Sequence, residues 1–403
     1  MPVSIFEALN LIEESTQNTL STEIIPIENA LYRVSSQTLQ ATIALPTFNN
    51  SAMDGYGLCG EAENYEIIGK ILAGDSHSYE LKDTQCIKIL TGARVPSSVD
   101  TIIPQENTTI NEKSITIKKA VKFGANIRYK GEDISQGEDI ITKGEKINSS
   151  HIALFASQGI THIEVYRKVS VGVFASGNEL KLHFEQLKES QVYNSNTLYL
   201  LARSKELGAQ TRFVGKSQDS VESLKELINS AKDCDVIVTS GGVSVGEADF
   251  TKESFTQLGM NTFFNKVQIK PGKPTTFGKI GDTFVLNLPG NPLASSLNFE
   301  IFGTFLLRRL SGMKNSFHGY ITTKITQDIT SPRPISNIIP GNYNGRTFTP
   351  IEKFAPGMVN VLNHCNGLIV IDPKTDTLSK DDLVKFLPMR WEFLESEFKD
   401  FLS

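Results

Sequence analysis

The chain has 403 residues, 39% of them hydrophobic, and a formal net charge of −5. This length exceeds one ordinary core, so two to four domains are expected. The acidic balance argues against a general nucleic-acid binder, and no apolar run reaches the ~18 residues of a membrane span.

The first part of the chain predicts two helices flanking a β-rich insert. Ser4 and Glu7 form a capping-box pattern at the start of the first helix. Short alternating runs between turn residues, the clearest at 65–68, 86–90 and 114–117, predict the β-rich insert. A helix over 150–157 then ends at Gly159.

Strands and helices alternate from Lys168 onward. This pattern predicts a doubly wound, mostly parallel sheet that ends near Gly312. The strands are expected at 169–174, 210–215, 236–239 and 283–288, and the helices at 196–207, 220–231 and 293–310. The remaining residues carry Pro and Gly breaks and an apolar run at 367–371, which predicts a small β domain.

A glycine-rich loop follows the apolar strand that ends at Thr239. Its glycines allow positive φ and close approach of a ligand, and its serines add hydroxyl donors. Loops at the carboxyl ends of strands are where open α/β sheets bind ligands. The loop predicts a phosphate site, with a plain tight turn as the alternative, and the residues concerned are Ser240, Gly241, Gly242, Ser244 and Gly246.

The turn Pro289-Gly290-Asn291-Pro292 follows another strand of the same sheet and precedes a long apolar helix. Asn291 is expected to cap that helix and Pro292 to take its first position. Free amides at such a start would hold an anion or a polar ring, and a well-made cap is the alternative. This turn, the glycine-rich loop and the segment 174–179 each follow a strand, so all three are expected to face one pocket.

A cluster of lysines stands out in this acidic protein, at Lys266, Lys270 and Lys273. If 266–270 is extended, Lys266, Gln268 and Lys270 share one face and would jointly hold a small dianion. A solvated edge strand is the alternative.

Glu179, Asp219 and Asp249 each follow a predicted strand, where carboxylates would bind Mg²⁺ beside phosphate. Helix capping or simple exposure is the alternative for each. The four cysteines lie far apart without a CxxC pair, so they are expected to be buried thiols in a reduced cytoplasmic setting. The scattered histidines show no zinc-ligand spacing.

Six segments together closely resemble the molybdopterin molybdenumtransferase family, which includes bacterial MoeA and the E domain of gephyrin. They span nearly the whole chain, in the family's order and spacing: 51–56, 90–96, 131–134, 240–249, 270–274 and 288–292. The resemblance implies a multidomain α/β plus β fold and a homodimer. It implies an elongated discontinuous domain (1–45 and 136–167), the β-rich insert (46–135), an α/β molybdopterin-binding domain (168–318) and a C-terminal β-barrel-like domain (319–403).

The family's reaction inserts molybdate into the dithiolene of adenylylated molybdopterin, releases AMP and requires a divalent cation. The resemblance therefore implies a Mg²⁺-dependent transferase of molybdenum cofactor biosynthesis, with molybdate and adenylylated molybdopterin as substrates. It implies further contacts with molybdopterin adenylyltransferase and with molybdoenzyme maturation factors. By motif match, functional roles fall on Asp54, Thr91, Asp133, Glu179, Asp219, Asp249, Lys266, Lys270, Pro289 and Pro292.

The tail departs from the family's pattern. The segment 338–342 lacks a counterpart to the family's arginine, and 359–361 lacks one to its serine. Either another group such as Arg346 substitutes, or molybdate is held more weakly. Asn178 also replaces an Asp that the family often has.

Two other functions fit part of the pattern. A molybdopterin adenylyltransferase would share the α/β domain, but the insert with Asp54 argues against it. A non-catalytic dimeric scaffold would not need acids and lysines at every site. Tungstate in place of molybdate stays open, because the two oxyanions have nearly the same size and charge.

Overall fold

The computed structural model describes residues 1–17, 20–218, 220–241, 248–331 and 334–390, without the side chains of 248–250. The chain divides into two compact units. The first comprises Met1–Ser36, Lys143–Ile147 and the chain from Ile163 onward, and the second comprises Gln37–Thr142 and Asn148–His162. The division into four domains is finer than this and stays a prediction.

Helix α1 (Ile5–Ser15) begins at the predicted capping box. The Ser4 hydroxyl accepts from the Glu7 amide at 3.1 Å, and the Glu7 carboxylate accepts from the Ser4 amide at 2.7 Å. Two orphan donors at the helix start are thereby satisfied. The helix buries Ala8 and Ile12 against the core of the first unit.

A six-stranded sheet is the centre of the first unit. Its first four strands are parallel, and the last two are antiparallel to their neighbours. The mostly parallel sheet predicted from the alternation is therefore confirmed. The order across the sheet is Gln210–Ser217, Ser170–Ser176, Val236–Ser240, Thr283–Leu288, Thr276–Ile280 and Asn261–Phe264.

Helices cover both faces of this sheet, because its strands are apolar on both sides. Val173 and Val238 join the core cluster on the face that α3 (Ser195–Glu206) covers. Phe174 and Ile237, the next residue of one strand and the preceding residue of the other, face the opposite way. That second face packs on α4 (Val221–Ser230) and α5 (Ala248–Gln257). The sheet is doubly wound, as predicted.

The long apolar helix predicted over 293–310 is one continuous helical run. It consists of α6 (Pro292–Asn298), a π-helical segment (Phe299–Gly303) and α7 (Thr304–Leu310). Glu300, on the π-helical segment, accepts two hydrogen bonds from Arg203, which also donates to the Met389 carbonyl. Arg203 thereby ties α3 and the π-helical segment to the end of the C-terminal barrel.

The tail forms a closed barrel of five strands, which confirms the predicted β-barrel-like end. Buried Ile325, Phe348, Ile369 and Phe386 fill its interior. The strand Ile269–Lys270 adds to the outside of the barrel. Around the ring the strands are Ser336–Tyr343, Thr347–Pro350, Ile321–Ile325, Leu383–Pro388 and Gly367–Ile371, which pairs again with the first.

The second unit is β-rich, as predicted for the insert, and contains α2 (Ser149–Ser157). Asn148 caps α2, because its side chain accepts from the His151 amide at 3.0 Å. The sheet of this unit forms a half-barrel. Its strands, in order, are Thr101–Pro104, Gly55–Leu58, Gln85–Ile89, Asn64–Ile71, Ser114–Ile117 and Thr108–Asn111.

The remaining described strands are short: Thr22–Pro26, Leu39–Gln40, Asn50–Ser51, Ile127–Arg128, Asp139–Ile141, His162–Tyr166, Leu180–Lys181, Val192–Tyr193, Ile329–Thr330 and Thr377–Leu378. All four cysteines are free thiols; three are buried, as predicted, whereas Cys59 is only partly buried. Among the helices in the described ranges, none has the length and hydrophobicity that a membrane crossing requires.

Candidate functional site

A cleft of about 470 Å³ opens at the carboxyl ends of the parallel strands. The three predicted turns meet there, since Ser176 and Ser240 end neighbouring strands and the third turn follows Leu288. The predicted residues that line the cleft are Glu179, Ser240, Gly241, Pro289, Gly290, Asn291 and Pro292. The expectation that three loops of one sheet face one pocket is confirmed.

Gly241 occupies a position that only glycine fits. Its φ is +99°, in the left-handed region, and an added Cβ would lie 2.5 Å from the Ser176 carbonyl oxygen. A Cβ added to Gly290 would lie 3.4 Å from the Gly241 Cα, so these two backbones are also close together. The backbones of all three turns therefore approach one another closely at the floor of the cleft.

Asn196, at the start of α3, joins two of these turns. Its side-chain amide donates to the Gly290 carbonyl at 2.7 Å and to the Ser240 hydroxyl at 3.3 Å. The side chain is buried and lines the cleft. Sequence reasoning missed this residue, although two asparagines stand at the helix start, and only Asn194 is needed as the cap.

The helix start that offers amides to the cleft differs from the predicted one. At α6, the Leu293 and Ala294 amides both donate to the Pro356 carbonyl, at 2.9 and 3.3 Å. Pro292 takes the first position as predicted, but the side chain of Asn291 makes no cap hydrogen bond. The amides expected to be free for an anion at this helix start are therefore already bonded to a carbonyl, and the ligand-binding role of the turn 289–292 stays a prediction.

Helix α3 supplies the anion-attracting end instead. Asn194 caps it through the Thr197 amide, at 3.1 Å, and Asn194, Ser195 and Asn196 line the cleft. Among the described residues, none accepts a hydrogen bond from the Ser195 or Asn196 amide. A helix N-terminus of this length attracts phosphate through its free amides and its dipole.

The rim of the cleft carries a ring and a carboxylate. Tyr193 is 46% exposed and lines the cleft beside Glu179. The Val192 amide donates to the Glu179 carbonyl at 3.0 Å, which holds the two rim segments together. An exposed aromatic ring at a cleft mouth provides a surface for stacking a flat ligand.

The predicted lysines share one face, but they do not line this cleft. Lys266, Gln268 and Lys270 are exposed while Val267 and Ile269 are buried, which confirms the alternation. The strand pairs with the barrel, and Lys270 lines a second cavity of about 400 Å³ with Pro271, Asp328, Asn337 and Glu352. Lys270 and the loops, which were expected to share one pocket, therefore line two different cavities. Period-two spacing showed the common face but not the partner strand.

The segment 270–274 borders both cavities, since Lys270 and Pro271 line the second cavity and Pro274 lines the cleft. Asn298 of α6, fully buried, holds this segment. Its side chain donates to the Pro271 and Ala294 carbonyls at 3.0 and 2.7 Å, and accepts from the Thr275 hydroxyl at 3.0 Å. Lys273 is exposed on the same turn.

Several predicted site residues lie outside the described part of the chain. These are Gly242, Ser244, Gly246 and Asp219, and the side chain of Asp249. Of the three predicted metal ligands, only the Glu179 side chain is described. Within the described ranges, no group of three His, Cys, Asp or Glu side chains is placed to hold a metal ion.

The second unit brings Asp54 and Thr91 together. Asp54 Oδ1 accepts from both the Thr91 amide and the Thr91 hydroxyl, each at 2.8 Å. These bonds hold the pKa of the exposed Asp54 carboxyl below its ordinary value, backbone bond first. Among the described residues, none donates a hydrogen bond to its Oδ2, and Asp54 is exposed to solvent. Asp133 is exposed in the same unit, and its amide donates to the Leu45 carbonyl at 3.0 Å.

Arg346 does not line the second cavity. It belongs to the turn between the strands Ser336–Tyr343 and Thr347–Pro350. Lys270 is the one cationic side chain in the described lining, alongside two carboxylates.

Comparisons with known proteins cover the whole of this architecture. Residues 3–159 match the family model described as MoeA N-terminal region (domain I and II), and residues 172–309 match the probable molybdopterin binding domain. The chain is 34% identical over 299 residues to a molybdopterin molybdenumtransferase of Haemophilus influenzae, covering 73% of this chain and 74% of that one. It is 29% identical to one of Staphylococcus epidermidis over 98% of both chains.

The fold is similar to a solved structure along nearly its full length. A molybdopterin biosynthesis MoeA protein of Pyrococcus horikoshii matches with a TM-score of 0.82 and 29% identity, over 97% of this chain and 100% of that one. The multidomain α/β and β architecture agrees with this similarity.

Proposed function

The chain belongs to the molybdopterin molybdenumtransferase family, and from this premise we propose that it inserts molybdate into the dithiolene of adenylylated molybdopterin, releasing AMP. The reaction is a step of molybdenum cofactor biosynthesis. It brings together two negatively charged reactants, which repel each other in water.

The observation that carries the proposal is the pair of cavities joined by one segment. The cleft presents small backbone turns and a helix start, which suit the phosphate and ring of a pterin nucleotide. The adjoining cavity presents Lys270, which suits a small oxyanion. Because 270–274 borders both, the two reactants would lie side by side.

Binding and orientation fall on the described cleft residues. The Ser195 and Asn196 amides would donate to phosphate oxygens, and the Ser240 hydroxyl, which accepts from Asn196, keeps its own proton to donate. Tyr193 would stack on the pterin. Much of the rate acceleration would come from positioning and charge neutralisation.

The proposal includes Mg²⁺, which would offset charge on the pyrophosphate and polarise its cleavage. Glu179 fits such an ion, because its carboxylate is exposed at the cleft and Mg²⁺ is usually held by one or two carboxylates plus substrate phosphates. Asp219 and Asp249 are proposed as the other carboxylates.

Asp54 is proposed to orient a reacting group through Oδ2, since Thr91 occupies Oδ1 and keeps the carboxylate ionised. We propose that the chain is a homodimer in which Asp54 and Thr91 serve the cleft of the partner. Asp133 is proposed as a further functional acid.

Mixing two inactive variants tests this sharing. Asp54→Ala and a cleft variant, Gly241→Ala, would form heterodimers with one complete site in half of the dimers, so about a quarter of wild-type activity should return. No recovery on mixing, with heterodimers present, would contradict the shared site.

A nucleotide assay tests the reaction itself. Purified protein with adenylylated molybdopterin, Mg²⁺ and molybdate should release AMP, and should consume no ATP when molybdopterin and ATP are supplied instead. ATP consumption would favour the adenylyltransferase alternative, for which no other observation speaks. An inert protein in both assays would favour the scaffold.

The proposal places the reaction in the cytoplasm, in keeping with four free thiols. The substrate must come from an adenylyltransferase that activates molybdopterin, and the product must pass to proteins that mature molybdoenzymes. Contacts with both classes are therefore proposed.

A further inference from the structure

A third cavity, lined by cationic side chains, lies at the opposite end of the central sheet from the cleft. Arg33, Lys146, Arg167 and Lys168 line this basic pocket, which has a volume of about 30 Å³ and no acidic residue in its described lining. Val169, which also lines it, precedes the strand Ser170–Ser176. The pocket therefore lies at the amino ends of strands whose carboxyl ends form the cleft.

The two arginines of the basic pocket are already paired. Arg167 donates to both carboxylate oxygens of Asp235, at 2.6 and 2.7 Å. Arg33 donates to Glu23 and to the Tyr166 carbonyl. They form rigid walls and contribute little uncompensated charge.

The two lysines have no such partner. Among the described residues, none places a carboxylate within ion-pair distance of Lys146 or Lys168. The Lys146 ammonium instead lies 4.9 Å from the centroid of the Tyr32 ring. Part of the Lys146 side chain is exposed, but burial of its ammonium, followed by repulsion from Arg308, lowers its pKa.

We propose that the basic pocket binds a small tetrahedral oxyanion, such as inorganic phosphate, between Lys146 and Lys168. Two lysines that line one small cavity repel each other, and a dianion bound between them would remove that repulsion while accepting charge-assisted hydrogen bonds from both. The Ser311 hydroxyl, which also lines the pocket, offers a further polar contact. This site does not depend on the proposed reaction.

Calorimetric titration of the full chain with inorganic phosphate at constant ionic strength tests the proposal. Lys146→Gln and Lys168→Gln should each weaken binding about tenfold, the loss expected from one charge-assisted contact. Lys385→Gln is the matched control, because Lys385 also lies over a tyrosine ring, 4.8 Å from the centroid of Tyr320, but on the barrel. Far-UV circular dichroism and melting would show that the variants fold.

Lys270→Gln separates the basic pocket from the cavity beside the cleft. Phosphate binding should persist in this variant, and sulfate should displace phosphate whereas chloride at equal ionic strength should not. The proposal is overturned if wild-type protein binds phosphate more weakly than about 10 mM. It is also overturned if Lys146→Gln and Lys168→Gln bind as wild type does, or if Lys270→Gln abolishes binding.

Discussion

Asn298→Ala should loosen the segment that separates the two cavities. The substitution removes three hydrogen bonds, two donated to the Pro271 and Ala294 carbonyls and one accepted from Thr275. At about 1 kcal/mol net for each bond, the free energy of unfolding should fall by about 3 kcal/mol. For a unit of about 280 residues, that corresponds to a drop in Tm of roughly 5 °C.

Asn291→Ala is the matched control for stability. Asn291 stands at the N-cap position of the same helical run, but its side chain makes no cap hydrogen bond. The Tm of the Asn291→Ala variant should therefore differ from that of wild type by less than about 2 °C. Thr275→Val completes a double-mutant cycle with Asn298→Ala. The two losses should be less than additive, because they share one hydrogen bond.

Differential scanning calorimetry gives these values, and molybdate dependence of AMP release reports on the position of Lys270. Asn298→Ala should raise the KM for molybdate more than it lowers kcat, since it displaces a binding segment. If Asn298→Ala melts within 1–2 °C of wild type, the hydrogen bonds of Asn298 do not hold the segment, and the reasoning is refuted.

Three further predictions concern other positions. Thr91→Val should raise the pKa of Asp54 by removing one hydrogen bond, so the acid limb of AMP release should move to higher pH, and an unmoved limb would contradict the role of the pair. Gly241→Ala should lower Tm and ligand affinity far more than Gly259→Ala, because both have positive φ but only Gly241 meets a carbonyl where its Cβ would stand. Asp235→Asn should cost about 2 kcal/mol at pH 7, after a discount for its half-exposed arginine partner. Burial raises the pKa of Asp235, but its hydrogen bonds outweigh burial, and the folded pKa is lowered. The stabilisation is therefore full above the unfolded pKa of ~3.9 and is lost as the pH falls through the lower folded pKa. The difference in Tm between wild type and Asp235→Asn should close in that acid range.

Local pattern predicted most of the secondary structure. The strands Ser114–Ile117, Thr283–Leu288 and Gly367–Ile371 have the predicted bounds, because each is a short apolar or alternating run between turn residues. The Ser4 capping box is formed as expected, since both of its partners lie within one helical turn.

Contacts between distant segments could not be read in the same way. Nothing around Leu293 shows that the Pro356 carbonyl, more than sixty residues later, fills the start of α6. The alternation at 266–270 showed which lysines share a face, but not that the strand joins the barrel at Ser336. Asn196 was predicted only as the first residue of a helix, and its partners Ser240 and Gly290 could not be found from local sequence because they lie on other loops.

The most direct test of two adjoining sites is anomalous diffraction at the molybdenum edge from crystals soaked with AMP and molybdate. We predict a molybdenum peak in the cavity lined by Lys270 and nucleotide density in the cleft lined by Ser240 and Asn196. A molybdenum peak away from Lys270, with the nucleotide bound outside the cleft, would contradict the account.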